Sequence, residues 1–142
     1  MRALLDVNVL IALLDANHVS HAVAMAWFGS TAPSGWASCA ITQNGCLRVM
    51  SKARYPHARP VHEIAERLRE ATQSPVHEFW PDDVSLLDVR HVDVQRVYSA
   101  RQLTDVYLLA LAVQHGGCLV TFDHAIRPDA VRGARAEHLV IL

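Results

Sequence analysis

Short apolar strands alternate with helix-length segments along the whole chain, and no hairpin signal such as Asn-Gly joins one strand to the next. Strands linked through helices cannot turn straight back on their neighbours. They have to cross over, which predicts a mainly parallel sheet buried on both faces. The strand candidates are residues 2–5, WASCA at 36–40, VHEFW at 76–80, CLVTF at 118–122 and LVIL at 139–142. Between them, VNVLIALLDA and DVYLLALAVQH carry apolar side chains at helical spacing. Ser20, Thr42 and Thr104 are suited to cap helices. In VHEIAERLREA the residues Val61, Ile64, Ala65 and Leu68 fall on one stripe, as in a surface helix. DVSLLDV is expected to form a further short helix, and SKARYPHARP a basic surface loop. The fold class is α/β: three layers, α/β/α, formed as a single domain over residues 1–142.

The apolar fraction of 51% against 19% charged residues fits a globular protein with a substantial core. No stretch reaches the ~20 apolar residues of a membrane span, so no membrane partner is expected. The opening MRALLDVNVLIALLDANH has Asp6 and Asp15 within it, which argues for structure rather than a secretory leader. Cys39, Cys46 and Cys118 are odd in number and set among apolar neighbours. They read as buried thiols of a reducing compartment, the cytoplasm. Net charge is −1, so any phosphate-binding surface must arise from local clustering. Trp27, Trp36 and Trp80 sit in apolar runs and are assigned to the core or to a dimer interface.

Three aspartates stand where an apolar strand ends or a helix begins: Asp6 after RALL, Asp105 at the start of DVYLLALAVQH, and Asp123 after CLVTF. Each has an ordinary explanation taken alone. Asp6 suits a helix cap, Asp105 gains from the dipole of its helix, and Asp123 suits a turn. In an open parallel sheet, however, all three positions meet on one rim, where ligands bind. Two carboxylates ~4 Å apart repel by about 4 kcal/mol at an effective dielectric of ~20, and a cation relieves that. Carboxylates without Cys or His at ligand spacing select Mg²⁺, with Mn²⁺ as a substitute, over zinc. His18 and His21 are three apart but have no partner pair. Few-carboxylate Mg²⁺ sites are suited to phosphodiester hydrolysis. No GxSxG elbow, P-loop or GxGxxG offers a rival chemistry.

These residues resemble the PIN-domain ribonucleases and, within them, the VapC-type toxins of bacterial toxin–antitoxin pairs. LLDVNVLIALL at 4–14 is similar to that family's opening D-x-N-V-L block, LTDVYLLALAVQHGG at 103–117 to its central D-x-x-L-A-x-A block, and LVTFDHAI at 119–126 to its closing T-x-D block. With ITQNGCLRVM the match is colinear over nearly the full length. The resemblance implies helices around a mainly parallel sheet, Mg²⁺-dependent cleavage of RNA to 5′-phosphate and 3′-hydroxyl ends, a homodimer, and a small VapB-type antitoxin that blocks the site. It makes Asp6, Asp105 and Asp123 the metal-binding and catalytic acids. Asn8 then braces Asp6, and Thr121 braces Asp123.

One position departs from the family pattern. T-Q-N-G-C-L-R places Gly45 where T-x-x-E-x-L-R has an acid. Gln43 or Asn44 offers a neutral oxygen in its stead, and Asp82 or Asp83 a charge. The departure also admits an alternative function, a catalytically weak PIN-fold protein that binds RNA or an antitoxin. Arg48, one turn beyond Gly45, is a candidate phosphate contact, and Lys52, Arg54 and Arg59, with Tyr55 among them, a candidate grip on looped RNA. A phosphorelay receiver would want a lysine after the last strand, and the sole lysine is Lys52. A haloacid-type phosphatase would want D-x-D where Asn8 stands.

Overall fold

The computed structural model describes residues 1–142, the side chain of Ala32 excepted. Its frame is a sheet of five strands, β1 (Ala3–Leu5), β2 (Trp36–Cys39), β3 (His77–Trp80), β4 (Cys118–Thr121) and β5 (Leu139–Ile141), in the order β3-β2-β1-β4-β5. Every pairing is parallel. The helices are α1 (Val7–Leu14), α2 (His21–Thr31), α3 (Ala40–Met50), α4 (Val61–Thr72) and α5 (Leu103–Gln114). Among the described residues no helix is long and apolar enough to cross a membrane.

The two-residue period of the strands divides the core. Leu4, Ala37, Cys39, Trp80 and Leu119 face α5, while Ala3, Leu5, Trp36, Cys118 and Val120 face α1, α3 and α4. Helices on both faces explain why the strand cores read as near-continuous apolar runs. α5 is the most deeply set helix, buried at every residue from Val106 to Ala112. α2 is the loosest, with Ala24 its one fully buried residue among those described and Val23 and Met25 exposed. Trp36 and Trp80 are core residues as expected, and Trp27 is half-buried.

Three local expectations are corrected. Thr42 does not cap α3: the cap is Cys39, and Thr42 lies inside the helix, its hydroxyl accepting from the Cys39 N–H at 3.0 Å and donating to the Cys39 carbonyl at 3.2 Å. Thr104 does not cap α5 either, because a 3₁₀ turn at Ala100–Gln102 leads straight into Leu103. The segment DVSLLDV is not helical. There the Ser85 hydroxyl accepts from the Leu87 N–H and Asp88 from the Arg90 N–H. Side-chain bonds of this kind compete with a helical ladder.

Candidate active site

The strand order reverses direction at the centre of the sheet. From β1 the chain moves outward to β2 and β3, then crosses back to place β4 on β1's other side. Ligands bind at such a switch point, beyond the C-terminal strand ends. Asp6 directly follows β1 and Asp123 lies two residues beyond β4. α5 packs behind the sheet and begins at the same rim, with Asp105 its third residue.

Asp6 is buried and serves as the N-cap of α1, its Oδ1 accepting from the Val7 N–H at 2.7 Å. Its Oδ2 accepts from the Thr121 hydroxyl at 2.6 Å. That hydroxyl in turn accepts from Asn8 Nδ2 at 3.0 Å and from the Asp123 N–H at 3.0 Å. Asn8 Oδ1 accepts from the Phe122 N–H at 3.2 Å. The bracing differs in detail from the sequence reading. Thr121 holds the Asp6 carboxylate directly and Asp123 only through its backbone, while Asn8 acts on Asp6 with its own side chain and also through Thr121. Asp123 also makes the turn expected of it alone, Oδ1 accepting from the Ala125 N–H at 2.7 Å.

Asp6 and Asp105 are both raised above the ordinary carboxyl value. Burial pushes the Asp105 pKa up to about 6, and the charges of Asp6 and Asp123 push the same way. Asp6 is raised as well, chiefly by burial and further by Asp123, against the lowering pull of Thr121, the Val7 N–H and Asn8. None of the three is in an ion pair with a described Lys, Arg or His. Nor do any three His, Cys, Asp or Glu among the described residues stand close enough to enclose an ion between them.

Gly45 is buried in α3, and a Cβ added there would meet Val7 Cγ2 at 2.6 Å. Any side chain at position 45 therefore requires the valine after Asp6 to shift. The substitutes considered for it lie elsewhere. Gln43 donates to the Ser38 hydroxyl at 2.9 Å, Asn44 is exposed, and Asp83 lies 3.0 Å from His115 Nε2. Asp82 faces Cys39 and Tyr107, whose pKa values are raised chiefly by burial and further by its charge.

Arg48 is exposed on α3, and the Tyr55 hydroxyl donates to Asp15 at 2.6 Å, which ties that ring to the body of the protein. Arg59 pairs with Glu63 at 3.3 Å. His18 and His21 serve local structure, accepting from the Ser20 N–H and lying 2.7 Å from the Ala12 carbonyl respectively. A cavity of about 590 Å³ opens beside Asp105 and Asp123, lined also by Arg96, Arg101 and Arg127. The sequence reading missed these arginines, since they come from two segments that meet only in the fold.

A parallel sheet with acids gathered at its central switch point defines a class, and comparison with known proteins places the chain within it. The PIN domain family model matches residues 3–128. Ribonuclease VapC44 of Mycobacterium tuberculosis is 54% identical over 142 residues, covering 100% of both chains. Ribonuclease VapC39 of the same species is 44% identical over 134 residues, 94% of this chain and 96% of the relative. Among solved structures, M. tuberculosis VapC20, described as a Sarcin-Ricin loop cleaving toxin, superposes with a TM-score of 0.57 at 16% identity, covering 89% of this chain and 91% of the other. VapBC2 of Rickettsia felis, solved bound to a promoter DNA fragment, gives 0.53 at 13% identity, covering 87% and 89%. The chain belongs to the PIN-domain family and, within it, to the VapC ribonucleases.

Proposed function

We propose that this protein is a Mg²⁺-dependent endoribonuclease, with Mn²⁺ able to substitute, that acts as the toxin of a toxin–antitoxin pair in the cytoplasm. In this reading it assembles as a homodimer and is restrained by a VapB-type antitoxin seated over the acids. The observation that carries the proposal is the gathering of Asp6, Asp105 and Asp123 at the central switch point, Asp105 and Asp123 lining one cavity, with none of the three in an ion pair among the described residues. Such a set favours a hard divalent cation of the kind that keeps several waters and takes one or two carboxylates directly.

When bound, the ion supplies a water of lowered pKa and neutralises a phosphate oxygen. The chain's own part is orientation. Thr121 and the Val7 N–H fix both oxygens of Asp6, and α5 presents Asp105 from the helix end where negative charge is favoured. Asp123, fastened by its turn, is the third acid. The alternative of a catalytically weak binder is not favoured, because the relatives named above are ribonucleases. Incubation with structured cellular RNA and Mg²⁺ is expected to yield cuts that Asp6→Asn or EDTA abolishes. Cleavage that persists with both would overturn the assignment.

A further inference from the structure

The cavity beside the acids has an electrostatic feature that the acids alone do not explain. Three guanidiniums, Arg96, Arg101 and Arg127, line it together with two carboxylates, Asp105 and Asp123. All three arginines are exposed. Arg96 leans on Asp93 at 3.5 Å, whereas Arg101 and Arg127 enter no ion pair and no side-chain hydrogen bond among the described residues. Had these arginines been there to neutralise the acids, Arg–Asp pairs would span the cavity, and none does. A small cation would be drawn by the carboxylates and repelled by the guanidiniums. A chain of spaced phosphates satisfies both: its flanking charges meet arginine, and the phosphate between them meets the acids and their ion.

The walls have the right origins for this. Arg96 and Arg101 come from the 3₁₀ turns that lead into α5, and Arg127 from the loop after β4. Asp105 continues the first segment and Asp123 opens the second, so each acid shares a stretch of chain with the arginines beside it. At about 590 Å³ the cavity falls within the usual ~300–1,000 Å³ of ligand clefts. Arginine's planar fork suits a phosphate oxygen pair better than lysine's point charge does.

We infer that Arg101 and Arg127 grip the phosphates flanking the scissile bond of an RNA strand laid through this cavity, Arg96 serving as a partly restrained third contact. The inference rests on the ribonuclease reading and names where its substrate lies. It moves the RNA path away from Arg48 and the basic loop at 51–60.

The test measures binding of a fluorescein-labelled single-stranded RNA, across a salt series, to full-length protein carrying Asp6→Asn so that no strand is cut. Arg101→Gln/Arg127→Gln is compared with Arg101→Lys/Arg127→Lys and with Arg48→Gln/Arg54→Gln. Loss of two phosphate contacts should weaken binding about tenfold or more at moderate salt. It should also flatten the slope of log K against log salt by about 1.4, at ~0.7 per phosphate for single strands. The lysine pair should restore the slope, and the Arg48/Arg54 pair should behave as the parent. Melting temperatures equal to the parent's would show that the glutamine pair is folded. Unchanged affinity and slope in a folded glutamine pair would overturn the inference while leaving the ribonuclease reading standing. A parent that binds no RNA, together with wild type that cuts none, would overturn both. Loss of binding to poly-glutamate but not to RNA would overturn it in favour of an acidic peptide as the cavity's occupant.

Discussion

The Thr121 hydroxyl has one proton to give and two lone pairs to offer, and all three are committed: the proton to Asp6, the lone pairs to Asn8 and the Asp123 N–H. Replacing it leaves buried Asp6 without its hydroxyl donor. Thr121→Val is expected to destabilise by about 1–3 kcal/mol and to lower cleavage, with Thr121→Ser recovering most of both. Urea midpoints and single-turnover rates would check this. Gly45 gives a prediction with a change of sign. Against Val7, Gly45→Ala overpacks and should cost about 1–3 kcal/mol. With Val7→Ala in place, the same change should become stabilising by up to about 1 kcal/mol, the ordinary gain of alanine over glycine in a helix. Equal effects in the two backgrounds would refute the contact. Residue identity made Asp6, Asp105 and Asp123 legible in the sequence. The Val7–Gly45 contact was not legible, because it joins helices 38 positions apart and depends on how closely they pack.

At the scale of elements, α5 carries its acid on the first turn, where the dipole favours charge, while burial and two neighbouring aspartates oppose it. Opposition wins, at about 6 against an ordinary 3.8. A carboxyl whose folded pKa is raised favours the folded state while protonated, and that contribution is lost as pH climbs through the folded value. Without divalent ions, wild type should therefore lose stability relative to Asp105→Asn between about pH 4 and pH 6.5. The loss should be about 1–2 kcal/mol once partial exposure is allowed for. Parallel melts in EDTA would show it, and coincident curves would refute it. Strand and helix positions were readable because apolar periodicity survives local detail. Helix starts were not, since Thr42 and Thr104 look like caps by composition yet lie inside helices that begin earlier. The expected helix at 83–89 failed for a local reason too, as Ser85 and Asp88 tie down their own backbone.

Across the whole molecule, the site joins residues from the first strand, the fifth helix and the fourth strand, and no shorter unit contains it. An ion that binds this assembly and not the unfolded chain stabilises the entire fold, by about 2.7 kcal/mol at a hundred times its dissociation constant. Saturating Mg²⁺ or Mn²⁺ should accordingly raise the melting temperature of wild type, and Asp6→Asn should remove that rise. The basic cavity was invisible in sequence for the same global reason, as Arg101 and Arg127 come to one cavity only in the fold.

β1 is made first yet lies in the middle of the sheet, with one flank open until β4 arrives more than a hundred residues later. During synthesis the nascent polypeptide therefore carries Asp6 long before it has the partner that would arm it. A polypeptide that stops ahead of Cys118 lacks β4, and with it the Thr121 hydroxyl that holds Asp6 and the acid Asp123 that follows the strand.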